Sequence, residues 1–284
     1  MSVKRATVRK TARVRTARAA TQPTVTRAAS RWCAGAEPLP QVETVATECP
    51  VALVYNGVSH AVMMASPSEL EDMGRGFTLA EGIVAAPAEI GAVEVLDMVL
   101  GFEVRLSIPQ HCADALEMRR RSMAGGTACG LCGVISLEQA VRTLPRAAAG
   151  PIWRADAIWA ALRDLPRRQG VHRQTGAAHA AAMASPEGVI QLVREDVGRH
   201  NALDKLVGAA ARAGLEPAHS ILLLTSRCSA EMVQKAATAG FTTIVSISGP
   251  TSLAIALAEQ SDLTLVAFAR ADSFVAYTRP DRIS

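Results

Sequence analysis

The chain has 284 residues, 49% of them hydrophobic, 4% aromatic and 20% charged, with a formal net charge of +4. That apolar content suits one large core or two modest ones, and no run approaches the ~18 uninterrupted apolar residues of a membrane span. The average charge misleads: residues 1–36 hold Lys4, Arg5, Arg9, Lys10, Arg13, Arg15, Arg18, Arg27 and Arg31 and no acidic residue, which leaves the rest at net −5. A basic pI therefore says nothing about nucleic-acid binding by the folded body.

The opening segment has no apolar h-region, so it is not a secretory signal. It reads as a disordered basic tail over 1–36. The six cysteines, Cys33, Cys49, Cys112, Cys129, Cys132 and Cys228, are widely scattered. A secreted disulfide scaffold is excluded by that spacing, and a reducing, cytoplasmic compartment is expected.

Folding signals begin near Val42. "VALVYNGVSHAVMMAS" places two β-rich runs around Asn56-Gly57, a strong hairpin signal. Ser66 is the expected N-cap of a helix, with Pro67 at its first position and Glu69 completing a capping box. That helix continues from Pro67 through Leu70 to about Ile83. "EVLDMVLGFEVRLSI" reads as one or two strands and "CADALEMRRRSMAG" as a helix stopping at Gly125. Residues 142–168 read as a connection plus one helix. From about Gly170 the pattern becomes strand, helix, strand: "GVIQLV", "DVGRHNALDKLVGAAARAG", "SILLLTS", "SAEMVQKAATAG", "FTTIVSIS", "PTSLAIALAEQS", "LTLVAFA" and "FVAYT". This alternation predicts an α/β fold built on βαβ units. The expected organisation is a smaller N-terminal α+β domain over 37–140 and an α/β domain over 141–284.

In an open α/β sheet, ligands bind beyond the carboxyl ends of the strands. Those ends here carry "REDVGRH", "TSRCS", "SISGP" and "ARADS". Hydroxyls, helix N-termini and Arg194, Arg199, Arg227 and Arg270 suit a phosphate-bearing ligand, with ordinary capping and surface charge as the bland alternative. On a helix, Asp196, His200 and Asp204 would share one face, as an acid/base group or as a structural network.

"GGTACGLCGV", Gly125 to Val134, puts Cys129 and Cys132 three residues apart among four glycines. A Cys-x-x-Cys is half of a tetrahedral zinc site, and neither a second such pair nor a His-x₃₋₅-His exists. The His-x-Glu and Pro-Cys-x-x-Cys of a zinc deaminase are missing too. A thiolate on such a stretch, with Arg119, Arg120 and Arg121 upstream, can carry a sulfane sulfur or exchange a disulfide. Residue chemistry leaves carrier and redox roles open.

"PVALVYNGVSHAVMMASP", "GTACGLCGV", "TGAAHAAA", "REDVGRHNALDKLVG", "TSRCSAEMVQKAATAG" and "LTLVAFARADSFVAYTRPDRI" follow in order from about Glu48 to the C-terminus. In these pieces the chain resembles the formate dehydrogenase accessory sulfurtransferases, the FdhD family. The resemblance implies a sulfurtransferase. A cysteine desulfurase loads sulfur as a persulfide on Cys129, with Cys132 as companion. The sulfur passes to the molybdenum bis(guanine dinucleotide) cofactor before that cofactor enters formate dehydrogenase.

The resemblance also assigns Phe268, Ala269, Arg270, Ala271, Asp272 and Ser273 to cofactor contact. Thr225, Ser226, Arg227, Ser248 and His200 are expected to complete that site. It implies a cytidine-deaminase-like α/β domain without zinc, joined to the N-terminal hairpin-containing part, and a homodimer. No permanent metal, nucleic acid or membrane partner is expected. Ala128 stands where glycine is common in the family, Ala177 where some members have cysteine, and Cys228 where alanine is usual. The alternative reading is a non-catalytic chaperone that binds the molybdenum cofactor and can spare both cysteines.

Overall fold

A computed structural model of the chain describes residues 21–124, 144–147 and 150–284. β1 (Thr24–Arg31) and β2 (Leu39–Ala46) form a two-stranded antiparallel ribbon, in register from Thr24 opposite Ala46 to Arg31 opposite Leu39. This corrects the reading of 1–36 as tail throughout. A ribbon needs backbone pairing more than burial, and the partner supplied by β2 outweighs the polar, arginine-bearing composition of β1.

β3 (Cys49–Tyr55) and β4 (Val58–Ala65) make the predicted hairpin. Asn56 and Gly57 both have positive φ, 47° and 84°, a turn that Asn-Gly accommodates at little cost. Asn56 also anchors the turn. Its Nδ2 donates to the Ile108 carbonyl and its Oδ1 accepts from the Ile108 N–H, each at 3.0 Å.

α1 (Leu70–Ala80) starts without the predicted cap: Glu69 precedes it in a left-handed conformation, φ 46°, and no side chain caps the helix. Ser66 is engaged elsewhere. Its N–H donates to Asp196 Oδ2 at 2.9 Å and its Oγ accepts from the Val197 N–H at 3.2 Å. Tertiary partners have taken the groups that a local cap would use. β5 (Val93–Met98) and β6 (Gly101–Leu106) complete a four-stranded sheet in the order β4-β3-β6-β5. Met73 and Phe77 of α1 pack on it through a core that includes Leu53, Val104 and Leu106. α2 (Gln110–Ala124) follows.

The second half is a three-layer arrangement. Its sheet, in the order β12-β11-β10-β9-β7-β8, contains β7 (His179–Ala184), β8 (Ile190–Asp196), β9 (Ile221–Leu224), β10 (Thr243–Ser246), β11 (Thr264–Ala267) and β12 (Val275–Thr278). β9, β10 and β11 are parallel and buried along their whole length, as mainly apolar runs between helices predict. β7 and β12 run antiparallel to their neighbours, so the sheet is mixed. α5 (Arg199–Ala213), α6 (Ala230–Thr238) and α7 (Ser252–Gln260) share a core with Met183, Leu222, Leu224, Ile244 and Leu265 on one face. α3 (Ala155–Arg168) and Trp153 cover Ile221, Leu223, Val245 and Val266 on the other, with α4 (Gly170–Thr175) leading into β7. Trp153 Nε1 donates to Thr243 Oγ1 at 2.7 Å, which satisfies the indole in that core.

Among the described residues no helix is long and apolar enough to cross a membrane.

Candidate functional site

The carboxyl ends of β8, β9, β10 and β11 and the start of β7 lie along one edge of the six-stranded sheet, as their relative directions require. The three segments that follow β9, β10 and β11 are stitched together there. The Cys228 N–H donates to the Gly249 carbonyl at 3.2 Å, and the Thr251 N–H returns to the Cys228 carbonyl at 3.0 Å. Phe268 N–H donates to Ser248 O and Ala269 N–H to Ser246 O, while Ser246 Oγ donates to Ser226 O at 2.7 Å. The result is a braced shelf rather than three independent loops.

The predicted residues divide on that shelf. Thr225 Oγ1 turns back to the sheet, accepting from the Ala180 N–H at 2.8 Å. Ser226 is buried with its Oγ donating to the Arg227 carbonyl, and Ala269 is buried. These three shape the shelf rather than face a ligand. Ser248 contributes its carbonyl to Ser246 Oγ as well as to Phe268. Arg227, Arg270, Ala271, Asp272 and Ser273 are exposed. Arg270 Nη1 donates to the Ile247 carbonyl at 2.6 Å, Arg163 Nη1 to the Ala271 carbonyl, and Ser273 Oγ to Asp272. Phe268 is left-handed, φ 49°, and half exposed. Its ring lies over Gly249, where a Cβ would come within 2.8 Å of Cζ. A non-glycine residue at positive φ costs about 1 kcal/mol or more, and here that conformation sets a flat apolar face at the strand ends.

Beside the shelf, the N-termini of α5 and α6 bring together Arg199, His200, Ser229 and Glu231. His200 Nε2 lies 2.7 Å from Glu231 Oε2, and Arg199 Nη2 lies 4.0 Å from the same oxygen. Arg199 Nε and Ser229 Oγ are buried atoms without a hydrogen-bond partner among the described residues. Burial pushes the His200 pKa down, Arg199 and Lys235 add to that, and Glu231 opposes them. His179, at the start of β7, is lowered for the same first reason, with Arg199 and His172 contributing. Both imidazoles therefore favour their neutral form more than a free histidine does.

Two expectations are corrected. Asp196, His200 and Asp204 do not share a helix face, because β8 runs through Asp196 and α5 starts only at Arg199. Asp196 instead accepts from Ser66, Gly198 and Asn201 and pairs with Lys205, while Asp204 pairs with Lys235. Arg194 is not at the site either. It lies within β8 and donates through Nε and Nη2 to the buried Asp72. Ser229 enters from the sequence only as the end of "TSRCS", and Glu231 is not singled out. The sequence-level signal for Glu231 is an acid in the first turn of a helix that follows a serine.

Cys129 and Cys132 lie outside the described residues, as do the side chains of Arg119, Arg120 and Arg121. Of the others, Cys33 is exposed and Cys49, Cys112 and Cys228 are buried. Among the described residues no group of three or more His, Cys, Asp or Glu is placed to hold a metal ion. A cavity of about 600 Å³ lies at the far, C-terminal ends of α5 and α6, lined by apolar residues such as Ile83, Val207 and Leu215. It contains none of the shelf's donors.

The FdhD/NarQ family model matches residues 46–284. A protein named sulfur carrier protein FdhD from Bordetella petrii is 47% identical over 243 residues, covering 86% of this chain and 87% of its own. Its namesake from Cupriavidus necator is 47% identical over 256 residues, covering 90% and 88%. A crystal structure from Desulfotalea psychrophila, described as that of a formate dehydrogenase accessory protein, superposes with a TM-score of 0.74 at 26% identity. It covers 92% of this chain and 99% of its own.

Proposed function

The chain belongs to the FdhD/NarQ family, and from that premise we propose that it is a sulfur carrier in the maturation of formate dehydrogenase. Cys129 accepts sulfur from a cysteine desulfurase. Its thiolate attacks the desulfurase persulfide, the donor S–S bond breaks, and the desulfurase leaves as a thiolate. Cys132 is the companion thiol that assists release. The acceptor is the molybdenum bis(guanine dinucleotide) cofactor, which is substrate here and not a resident group, and the carrier works as a cytoplasmic homodimer.

One structural observation supports the cofactor half of this reading: Arg199 Nε and Ser229 Oγ are buried and unpartnered among the described residues, beside two helix N-termini and His200, next to a braced shelf with an exposed aromatic ring. Donors held ready at helix N-termini suit phosphate oxygens, and an open aromatic face suits a purine base. A mixed α/β sheet with helices on both faces is also consistent with a cytidine-deaminase-like domain.

The test is mass spectrometry of the protein after incubation with a desulfurase and cysteine. The expected product carries one added sulfur atom, about 32 Da, on Cys129. A Cys129→Ala variant that still takes up sulfur and still activates formate dehydrogenase would overturn the carrier assignment and favour the cofactor-binding chaperone.

A further inference from the structure

The corner between α5 and α6 contains an acid where a site for anions should have none. We infer that Glu231 is the resident counter-anion of this site, holding the place of a ligand oxyanion and swinging out when a phosphate-bearing ligand arrives. The inference rests on the nucleotide reading of the shelf given above.

Three observations carry it. First, Arg199 Nε and Ser229 Oγ are buried without hydrogen-bond partners among the described residues. An unmade hydrogen bond of a buried group costs about 1–3 kcal/mol, so two at one corner mark donors kept for an absent acceptor. Second, the Glu231 carboxylate sits beside them, paired with His200 Nε2 at 2.7 Å and 4.0 Å from Arg199 Nη2, without reaching Arg199 Nε. It takes up His200 as an oxyanion would, while leaving Arg199 Nε and Ser229 Oγ unspent. Third, the Glu231 side chain is 61% exposed, and exposed ion pairs contribute only about 0–1 kcal/mol. Releasing it costs little.

With Glu231 turned outward, the charges acting on His200 are Arg199 and Lys235, both positive. The N-termini of a fifteen-residue and a nine-residue helix add to that field. Glu231 then acts as a gate on affinity. It keeps the corner neutral when empty and weakens the hold on any anion, so that a phosphate-bearing cargo can be released.

Isothermal titration of the full chain with guanosine diphosphate and with inorganic pyrophosphate, at low ionic strength, tests this. Glu231→Gln keeps the shape and removes the charge, and is expected to bind both probes about five- to tenfold more tightly than the wild type, with the gain shrinking as salt is added. Arg199→Gln is expected to weaken both. If Glu231→Gln binds equally or less tightly while the wild type binds, the gate is overturned and the nucleotide reading stands. Unchanged binding by Arg199→Gln also overturns the gate. If the wild type binds neither probe, the nucleotide reading fails and the gate with it.

Discussion

A Cβ placed on Gly76 would stand 1.6 Å from the carbonyl oxygen of Asp204, so α1 and α5 meet backbone to backbone. Gly208 repeats the relationship in reverse, its hypothetical Cβ lying 2.0 Å from the Asp72 carbonyl oxygen. The two glycines let the layer that carries the hairpin sit directly on the helix that leads from the site. Gly76→Ala or Gly208→Ala must push the helices apart, because backbone cannot yield as a side chain can. Each is expected to cost about 3 kcal/mol, at the upper end for overpacking. Gly74→Ala meets side chains alone, Val104 at 2.6 Å and Leu106 at 3.4 Å, and should cost less. Urea denaturation of the three variants gives the order, and equal losses would contradict it.

Lys205 is fully buried, with its ammonium 2.6 Å from Asp196 Oδ2 and donating to the Ser66 carbonyl at 3.1 Å. Asp196 ends β8, Ser66 precedes α1 and Lys205 lies on α5, so this one ion pair fastens three elements beside the site. Lys205→Met keeps the volume but strands a buried carboxylate. A loss of about 3–5 kcal/mol is expected, readable as a fall in thermal midpoint. The double variant Lys205→Met/Asp196→Asn should recover part of it, since the uncompensated charge is gone.

The strands and helices from Ile221 to Ala267 were legible because each strand is a short apolar run flanked by glycine or a cap, which leaves one assignment. β7 was not. "HAAAMA" lacks the β-branched residues that mark strands, and its place in the sheet comes from the small side chains that let α5 and α3 cover both faces. β1 was hidden by its arginines. The strand-end location of the site followed from fold logic, but the meeting of His200 with Glu231 joins residues from different helices and has no local pattern. Asp196 was read one element too late, since nothing in "REDVGRH" says whether the strand stops before or after it.

Asp204 is fully buried against Lys235, with Nζ 2.7 Å from Oδ1, and Lys235 also reaches Glu81 at 3.0 Å. Burial outweighs the lysine and raises the Asp204 carboxyl to about 6, above the ~3.9 of an unfolded chain. Lys235 is also raised, because two carboxylates overcome its burial. A carboxyl raised on folding stabilises most below the unfolded pKa and loses that contribution as pH climbs through the folded one. Asp204→Asn has no such loss. It should therefore gain on the wild type by about 2 kcal/mol between pH 4 and pH 7, measured by urea unfolding at each pH. A difference that stays flat, or one that favours the wild type as pH rises, would show that the lysine dominates.

Sulfur acceptance needs a thiolate, and the buried cysteines are poor sources of one. Burial pushes the Cys228 thiol up to about 12 and the Cys49 thiol to about 11, and it raises Cys112 as well. At pH 8 a thiol near 12 is about one ten-thousandth ionised. Native protein treated with iodoacetamide at that pH should be alkylated at the exposed Cys33, while Cys49 and Cys228 remain unmodified until urea is added. Peptide mapping separates the sites. The same map, applied after desulfurase treatment, should find no sulfur on Cys49 or Cys228. Sulfur on Cys228 of the folded protein would move the carrier role from Cys129 to the buried thiol beneath the shelf.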